Sequence, residues 1–239
     1  MKLDILAIGV HPDDVELSCA GTILKHIAQG KKVGILDLTR GELGTRGTPA
    51  LRTQEANNAA AILGVSVREQ LTMADGFFEN NETNQKHIIH ILRKYQPEIV
   101  LCNAISDRHP DHGRAAKLTV DSCFYSGLVK VETLGDDNKL QSVWRPKAVY
   151  HYIQDQFIHP DFVIDVSAFM DKKMESILAY SSQFYDPNSK EPETPISTKN
   201  FMEHVKAKSA ILGRAINCDH AEGFTVNRYP GVESLFDLR

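Results

Sequence analysis

The feature that most restricts the fold lies near the start of the chain. Residues 3–10, Leu-Asp-Ile-Leu-Ala-Ile-Gly-Val, form a mostly apolar run of the length of a buried strand. It ends in His11-Pro12-Asp13-Asp14, and then Val15, Ala20, Ile23, Leu24, Ile27 and Ala28 recur at helical spacing. Strand, polar turn and helix in that order open a parallel α/β unit, and such sheets hold ligands at the carboxyl ends of their strands. A second polar cluster, Arg108-His109-Pro110-Asp111-His112, follows another apolar run at residues 98–104 and opens a helix reaching about Tyr125. Two such clusters on one sheet edge predict a metal-dependent enzyme.

Between and beyond these clusters, strands and helices alternate. Strands are expected at 32–39 and 67–73, and helices at 51–63, closed by Gly64, and from Asn84 to the stop before Pro97. This predicts an α/β, Rossmann-like, mostly parallel sheet flanked by helices. Residues 40–49 hold three glycines and leave the second strand as a loop beside the His11 cluster. The last third is less regular. It has strands at 147–153 and 162–166, a helix from Ser167, a proline-bearing loop at 185–197 and a helix over 201–216. No linker divides the chain, so residues 1–239 are expected to form one domain with an elaborated C-terminal third.

A net charge of -4 gives no reason to expect a nucleic-acid partner. No run of about twenty apolar residues suggests a membrane span. The first strand begins at once, without a basic segment, apolar stretch and cleavage site before it. Cys19, Cys102, Cys123 and Cys218 are widely spaced, without a C-x-x-C pair, and are expected to be reduced thiols of a cytoplasmic protein.

His11, Asp14 and His112 are candidate metal ligands: imidazole and carboxylate are the usual non-thiolate donors for zinc, and three protein ligands leave a position for water. Asp13, beside Asp14, is a candidate general base. His109 could stabilise an oxyanion or protonate a leaving amine. Asp111 could orient a histidine or simply favour a helix N-terminus. Arg52 and Arg108 lie near strand ends, where a guanidinium could engage a substrate carboxylate; Arg40 and Arg46 could do so from the loop. Either cluster alone would also suit an Asx-stabilised turn or a helix start; their joint occurrence after strands favours the metal. The dinucleotide fingerprint, the P-loop and Gly-x-Ser-x-Gly are absent. A sugar or nucleotide binding module without catalysis is the rival, but a binder needs no open metal site beside a spare carboxylate.

With His11-Pro12-Asp13-Asp14 and His109-Pro110-Asp111-His112, the chain resembles the PIG-L/LmbE-like zinc N-deacetylases of N-acetylglucosaminyl conjugates. The resemblance extends to Gly41-Glu42, Leu51-Arg52-x-x-Glu55-Ala56 and Ala221-Glu222-Gly223-Phe224. It implies one zinc ion on His11, Asp14 and His112, Asp13 as base, His109 at the oxyanion and Arg52 and Arg108 on the substrate side. It also implies a Rossmann-like fold and a homo-oligomer, commonly a hexamer in this family. Within the family the chain most resembles the deacetylases of bacillithiol biosynthesis, which implies the small glycoconjugate N-acetyl-glucosaminyl-malate as substrate. Inositol conjugates, chitooligosaccharides and glycopeptides are the alternatives.

Overall fold

In the computed structural model, which describes residues 1–238, the opening run forms β1 (Ile5–Gly9) near the middle of a seven-stranded sheet. The chain continues through α1 (Asp14–Ala28), β2 (Val33–Asp37), α2 (Pro49–Leu63), β3 (Val67–Gln70), α3 (Glu82–Tyr95), β4 (Ile99–Cys102) and α4 (Pro110–Tyr125). There follow β5 (Ala148–Tyr152), β6 (Phe162–Asp165), α5 (Met170–Leu178), α6 (Lys199–Ala215) and β7 (Ala221–Val226). The strand order is β3-β2-β1-β4-β5-β7-β6. The pairs among β3, β2, β1, β4 and β5 are parallel, whereas β7 runs antiparallel to both β5 and β6.

This order explains where the two polar clusters meet. From β1 the chain steps outward through β2 and β3, then returns to place β4 on the other side of β1. The turns after β1 and β4 therefore leave the sheet in opposite directions and open a crevice between them, the switch point at which α/β sheets bind ligands. His11–Asp14 stand on one lip and His109–His112 on the other.

β1 is buried on both faces, and its side chains alternate between them. Leu6 and Ile8 pack with Ile88, Ile91 and Leu92 of α3 and Ala115 and Leu118 of α4. Ile5 and Ala7 pack with Val15, Ala20 and Ile23 of α1 and with Tyr152 and Phe224. A third cluster joins Ala56 and Ala59 of α2 to Met170, Met174 and Ile177 of α5 and Val205 of α6. The C-terminal third is thus built onto the sheet and onto the helices beside it. Among the described residues no helix is long and apolar enough to cross a membrane.

Local chemistry sets the element ends. Thr48 caps α2 through a bond from the Leu51 N–H, Pro49 fills the first turn, and Gly64 ends the helix with φ 74°. The cap of α3 is Asn81 rather than the expected Asn84: the Asn81 side chain accepts from the Asn84 N–H, so helix begins three residues earlier. Residues 221–226, not assigned by periodicity, form a strand because they insert between β5 and β6 and complete both ladders.

Phe224 is fully buried and stacks on Phe162 at 5.2 Å between ring centroids. Phe224→Ala should lower the unfolding free energy by about 3–5 kcal/mol in urea titration, the cost of emptying an aromatic core site. A loss below about 1 kcal/mol would show that β7 is not integral to the core.

Candidate metal centre

β1 ends at Gly9, and the turn after it is strained. Asp13 has φ 116°, a region that a residue with a Cβ rarely adopts. Arg52 of α2 holds the turn by donating to the Pro12 carbonyl oxygen and, at 2.8 Å, to Asp13 Oδ2. Gly41, at φ 63°, lets the next loop pass over this guanidinium: a Cβ there would stand 2.1 Å from Arg52 Nη1. Asp13 occupies the N-cap position of α1 but makes no cap bond, its carboxylate being engaged by Arg52 at the crevice.

Asp14 turns the other way. Its carboxylate accepts from the His11 N–H at 2.9 Å, Asn103 Nδ2 at 2.9 Å and Gln154 Nε2 at 3.1 Å. Oδ1 lies 3.2 Å from His112 Nε2, and Oδ2 lies 3.9 Å from His11 Nδ1. The two imidazoles face Asp14 with opposite nitrogens. His11 turns Nε2 away to Asp75 at 2.9 Å, with Asp111 3.6 Å off; His112 turns Nδ1 away to Asp107 at 2.5 Å. Each carboxylate therefore sets the tautomer that the ring takes once it gives up a proton to a metal ion, with the remaining proton on the carboxylate's side and the freed lone pair toward Asp14. This is the carboxylate–histidine arrangement of metal sites.

The donor set fits a divalent ion. Nitrogens and oxygens at the ends of three short side chains converge from two loops, and no thiol is among them. His11 and His112 are joined to Asp14 by the distances above, whereas the groups whose donor atoms all lie within 4.8 Å of one another are His11, His109 and His112, and His11, Asp75 and Asp111. The latter three are better explained as orientation, since Asp75 also accepts from the Leu43 N–H and Asp111 from Gly76 N–H and Arg114. His109 caps α4, its Nδ1 accepting from the Asp111 N–H at 3.3 Å. A neutral ring that accepts at Nδ1 carries its proton on Nε2, and that nitrogen is then a donor rather than a ligand.

The charges agree with this division. Burial disfavours a charged His11, yet Asp111, Asp75 and Asp14 carry its pKa up to about 10. Burial likewise opposes charge on His112, but Asp14 and Asp107 raise it to about 9. Burial would also raise Asp14, but His112 and His11 hold it far below the usual carboxylate range. His109 moves the other way, lowered by burial and by the charges of His11 and His112. Asp13 is pushed up to about 7 by burial, with the Asp14 charge adding and Arg52 opposing.

A cavity of about 340 Å³ opens over this face. One wall is the loop at 40–49, which is tied down: Leu43 N–H bonds Asp75, the Arg46 carbonyl accepts from Gln183, and Arg46 donates to Ser189. Thr194, Ile196 and, from α6, Phe201 and Lys208 also line the cavity. Arg108 stands at the rim, paired with Asp155 at 2.6 Å and half exposed. Arg52 is buried against Asp13, while Arg40 is exposed and does not line the cavity. Asp75, Asp107, Asn103 and Gln154 escape sequence reasoning because they come from three loops, Asn103 and Asp107 from the one after β4, and no period marks any of them as inward. Their only shared signal is position after β3, β4 or β5.

Residues 6–123 match the family model PIG-L, described as GlcNAc-PI de-N-acetylase. The conserved protein TT1542 of Thermus thermophilus has a similar structure, with TM-score 0.86, 33% identity and 98% of each chain covered. The diacetylchitobiose deacetylase of Thermococcus kodakarensis is 28% identical over 75% of this chain and 70% of its own length. The 1D-myo-inositol 2-acetamido-2-deoxy-alpha-D-glucopyranoside deacetylase of Acidothermus cellulolyticus is 25% identical over 77% of this chain and 80% of its own.

Two measurements check the centre. Asp107→Ala and Asp75→Ala should each weaken divalent-metal binding by about 10- to 100-fold in chelator competition, as removal of orienting carboxylates does. With His11 raised to about 10 and His112 to about 9, both rings are protonated in the metal-free protein at pH 7.5. Calorimetry in buffers of different ionisation enthalpy should then show about two protons released per ion, with affinity falling as pH falls.

Proposed function

This chain belongs to the PIG-L family, and within that family we propose that it hydrolyses the acetamide of an N-acetylglucosaminyl conjugate, releasing acetate and a free amine. The observation that carries the reading is the pairing of two carboxylate-oriented imidazoles and Asp14 with a separate carboxyl group, Asp13, at the same crevice. A structural cluster would need no such spare group. A divalent ion, zinc on this reading, would be held by His11, Asp14 and His112 and would supply a Lewis acid and a more acidic water.

The chain's own residues do the rest. Asp13 accepts a proton from water, whose oxygen adds to the acetyl carbon; Arg52 keeps that carboxylate in place. His109, with its proton on Nε2, donates to the oxygen that gains negative charge. The C–N bond then breaks as Asp13 passes its proton to the departing nitrogen. A carboxyl group poised near neutrality suits both the uptake and the return of a proton.

A specific feature favours an anionic aglycone, and N-acetyl-glucosaminyl-malate of bacillithiol biosynthesis is the substrate we propose. Lys208 lines the cavity, donates one N–H to the Gln154 carbonyl oxygen and keeps two donors for a ligand. Burial, with Lys173 adding, lowers its pKa to about 8 against Asp155 and Asp107, which leaves it mostly charged at pH 7. Arg108 and Arg46 add positive charge to the same cavity. Arg108 already has Asp155 as its counter-charge, but a chitooligosaccharide or inositol aglycone would bring no negative charge to Lys208 or Arg46.

Acetate release by metal-loaded protein should be fast on the malate conjugate, slow on diacetylchitobiose and lost with chelator. Lys208→Met should raise KM for the malate conjugate by about tenfold, the value of a charge-assisted hydrogen bond, and leave diacetylchitobiose unchanged. Equal effects on both substrates would remove the anionic aglycone and keep the deacetylase. Asp13→Asn should retain the metal and lower kcat by about 10²- to 10⁴-fold. Because the base must be ionised, kcat/KM should fall with decreasing pH, with its acid limb at or below about 7, since a nearby cation lowers Asp13 further.

A further inference from the structure

The motif Ala221-Glu222-Gly223-Phe224 is unused by the chemistry above, yet it carries a buried carboxylate aimed at α1. Glu222 is 2% exposed, and Oε1 and Oε2 accept from the backbone N–H groups of Gly21 at 2.9 Å and Thr22 at 2.7 Å. Lys173 of α5, 1% exposed, neutralises it at 2.7 Å. These amides lie just past a break in α1: Cys19 has φ -140° and ψ 17°, far from helical values. α1 is therefore two helical segments joined at Cys19, and Gly21 and Thr22 stand at the second and third positions of the second one. Those are the N–H groups that a cap residue satisfies. Cys19, at the cap position, has only a weak acceptor, and a carboxylate from β7 takes its place.

We infer that Glu222 is a positioning residue of the metal centre: by capping the second segment of α1 it sets the angle at which the first segment presents Asp13 and Asp14. Stability alone does not account for the arrangement. A buried ion pair gives little net stabilisation compared with apolar side chains of the same volume, and such side chains could not accept two N–H bonds at a helix break. The second segment is also seated by contact, since a Cβ on Gly21 would lie 2.7 Å from the Val166 Cβ. The first segment, residues 14–18, is held separately, through Glu16 to Arg68 at 2.5 Å and to the Tyr180 hydroxyl at 3.2 Å. With one segment fixed by β7 and the other by β3 and the chain after α5, the break at Cys19 locks the direction of Asp14. The C-terminal third thus completes a site whose ligands all lie in the N-terminal half. The inference rests on the metal-dependent reading given above.

The test compares divalent-metal affinity, by chelator competition, in the wild-type chain, in Glu222→Gln and in Glu222→Gln with Lys173→Met, which removes the charge pair together. Circular dichroism and urea titration establish that each variant is folded. Both variants should bind metal about tenfold or more weakly, and amides 14–18 should exchange hydrogen faster than in the wild type. Metal affinity within twofold of wild type in a folded variant, with only a lower denaturation midpoint, would overturn the inference. If neither variant folds, hydrogen exchange of the wild type decides. Saturating zinc should slow the Gly21 and Thr22 amides more than Ile88 and Leu92 of α3, and equal slowing would overturn it. Absence of any divalent-metal binding by the wild type would instead sink the metal centre, and this inference with it.

Discussion

Carboxylates crowd the carboxyl end of β1, and the surrounding structure is arranged to neutralise them. Asp13, Asp14, Glu16, Asp37, Asp75 and Asp111 are all buried there. Unpaired, each would cost several kcal/mol to keep charged. Two arginines answer part of this charge: Arg52 holds Asp13, and Arg68 bridges Asp37 at 2.7 Å and Glu16 at 2.5 Å. The remainder, Asp14, Asp75 and Asp111, with Asp107 nearby, surrounds two imidazoles, and Asp111 also takes Arg114 at 3.1 Å. Arginine is always charged, so Arg68 holds Asp37 and Glu16 as fixed ion pairs, while Arg52 fixes Asp13 in place at the crevice. Imidazole can exchange its proton for a metal ion, so the carboxylates grouped around His11 and His112 are the ones arranged to hold one.

The sheet topology brings these groups together, and the part of the site carried by contiguous motifs was legible in the sequence. An apolar run followed by His11–Asp14 and a helix can be read without tertiary information, as can the second cluster after β4. The mostly parallel α/β class follows from the alternation of the two periods. The orienting groups were hidden for a physical reason. Asp75, Asp107 and Gln154 sit in loops, where no period marks a residue as inward, and an isolated Asp in a polar loop resembles any solvated one. The Asn81 cap was misplaced because both Asn81 and Asn84 suit that position, and only the backbone geometry chooses between them. β7 was missed because residues 221–226 hold Glu222 and Gly223 amid apolar neighbours, which breaks the strand pattern; the glutamate is tolerated there only through its bonds to α1 and Lys173.

The arginines show how burial changes a sequence reading. Arg52 and Arg108 look alike as cations near strand ends, but Arg52 is enclosed and supports Asp13, whereas Arg108 stands half exposed at the rim beside Asp155. Lys208, unremarkable on a polar helix, is half-buried and lines the cavity beside Gln154 and Asp155. Family membership carries the reaction class; the cations in this cavity bear on the aglycone, and fold likeness alone would not.

The central claim is that His11 and His112 offer opposite nitrogens to one ion together with Asp14, while His109 keeps its Nε2 proton as a donor. A crystal structure of the zinc-soaked protein, with anomalous scattering recorded at the zinc edge, tests this most directly. The account predicts one peak about 2.0–2.2 Å from His11 Nδ1, an Asp14 oxygen and His112 Nε2, with His109 outside bonding distance. A peak bonded to His109, or one lying between His11 Nε2, Asp75 and Asp111, would contradict it.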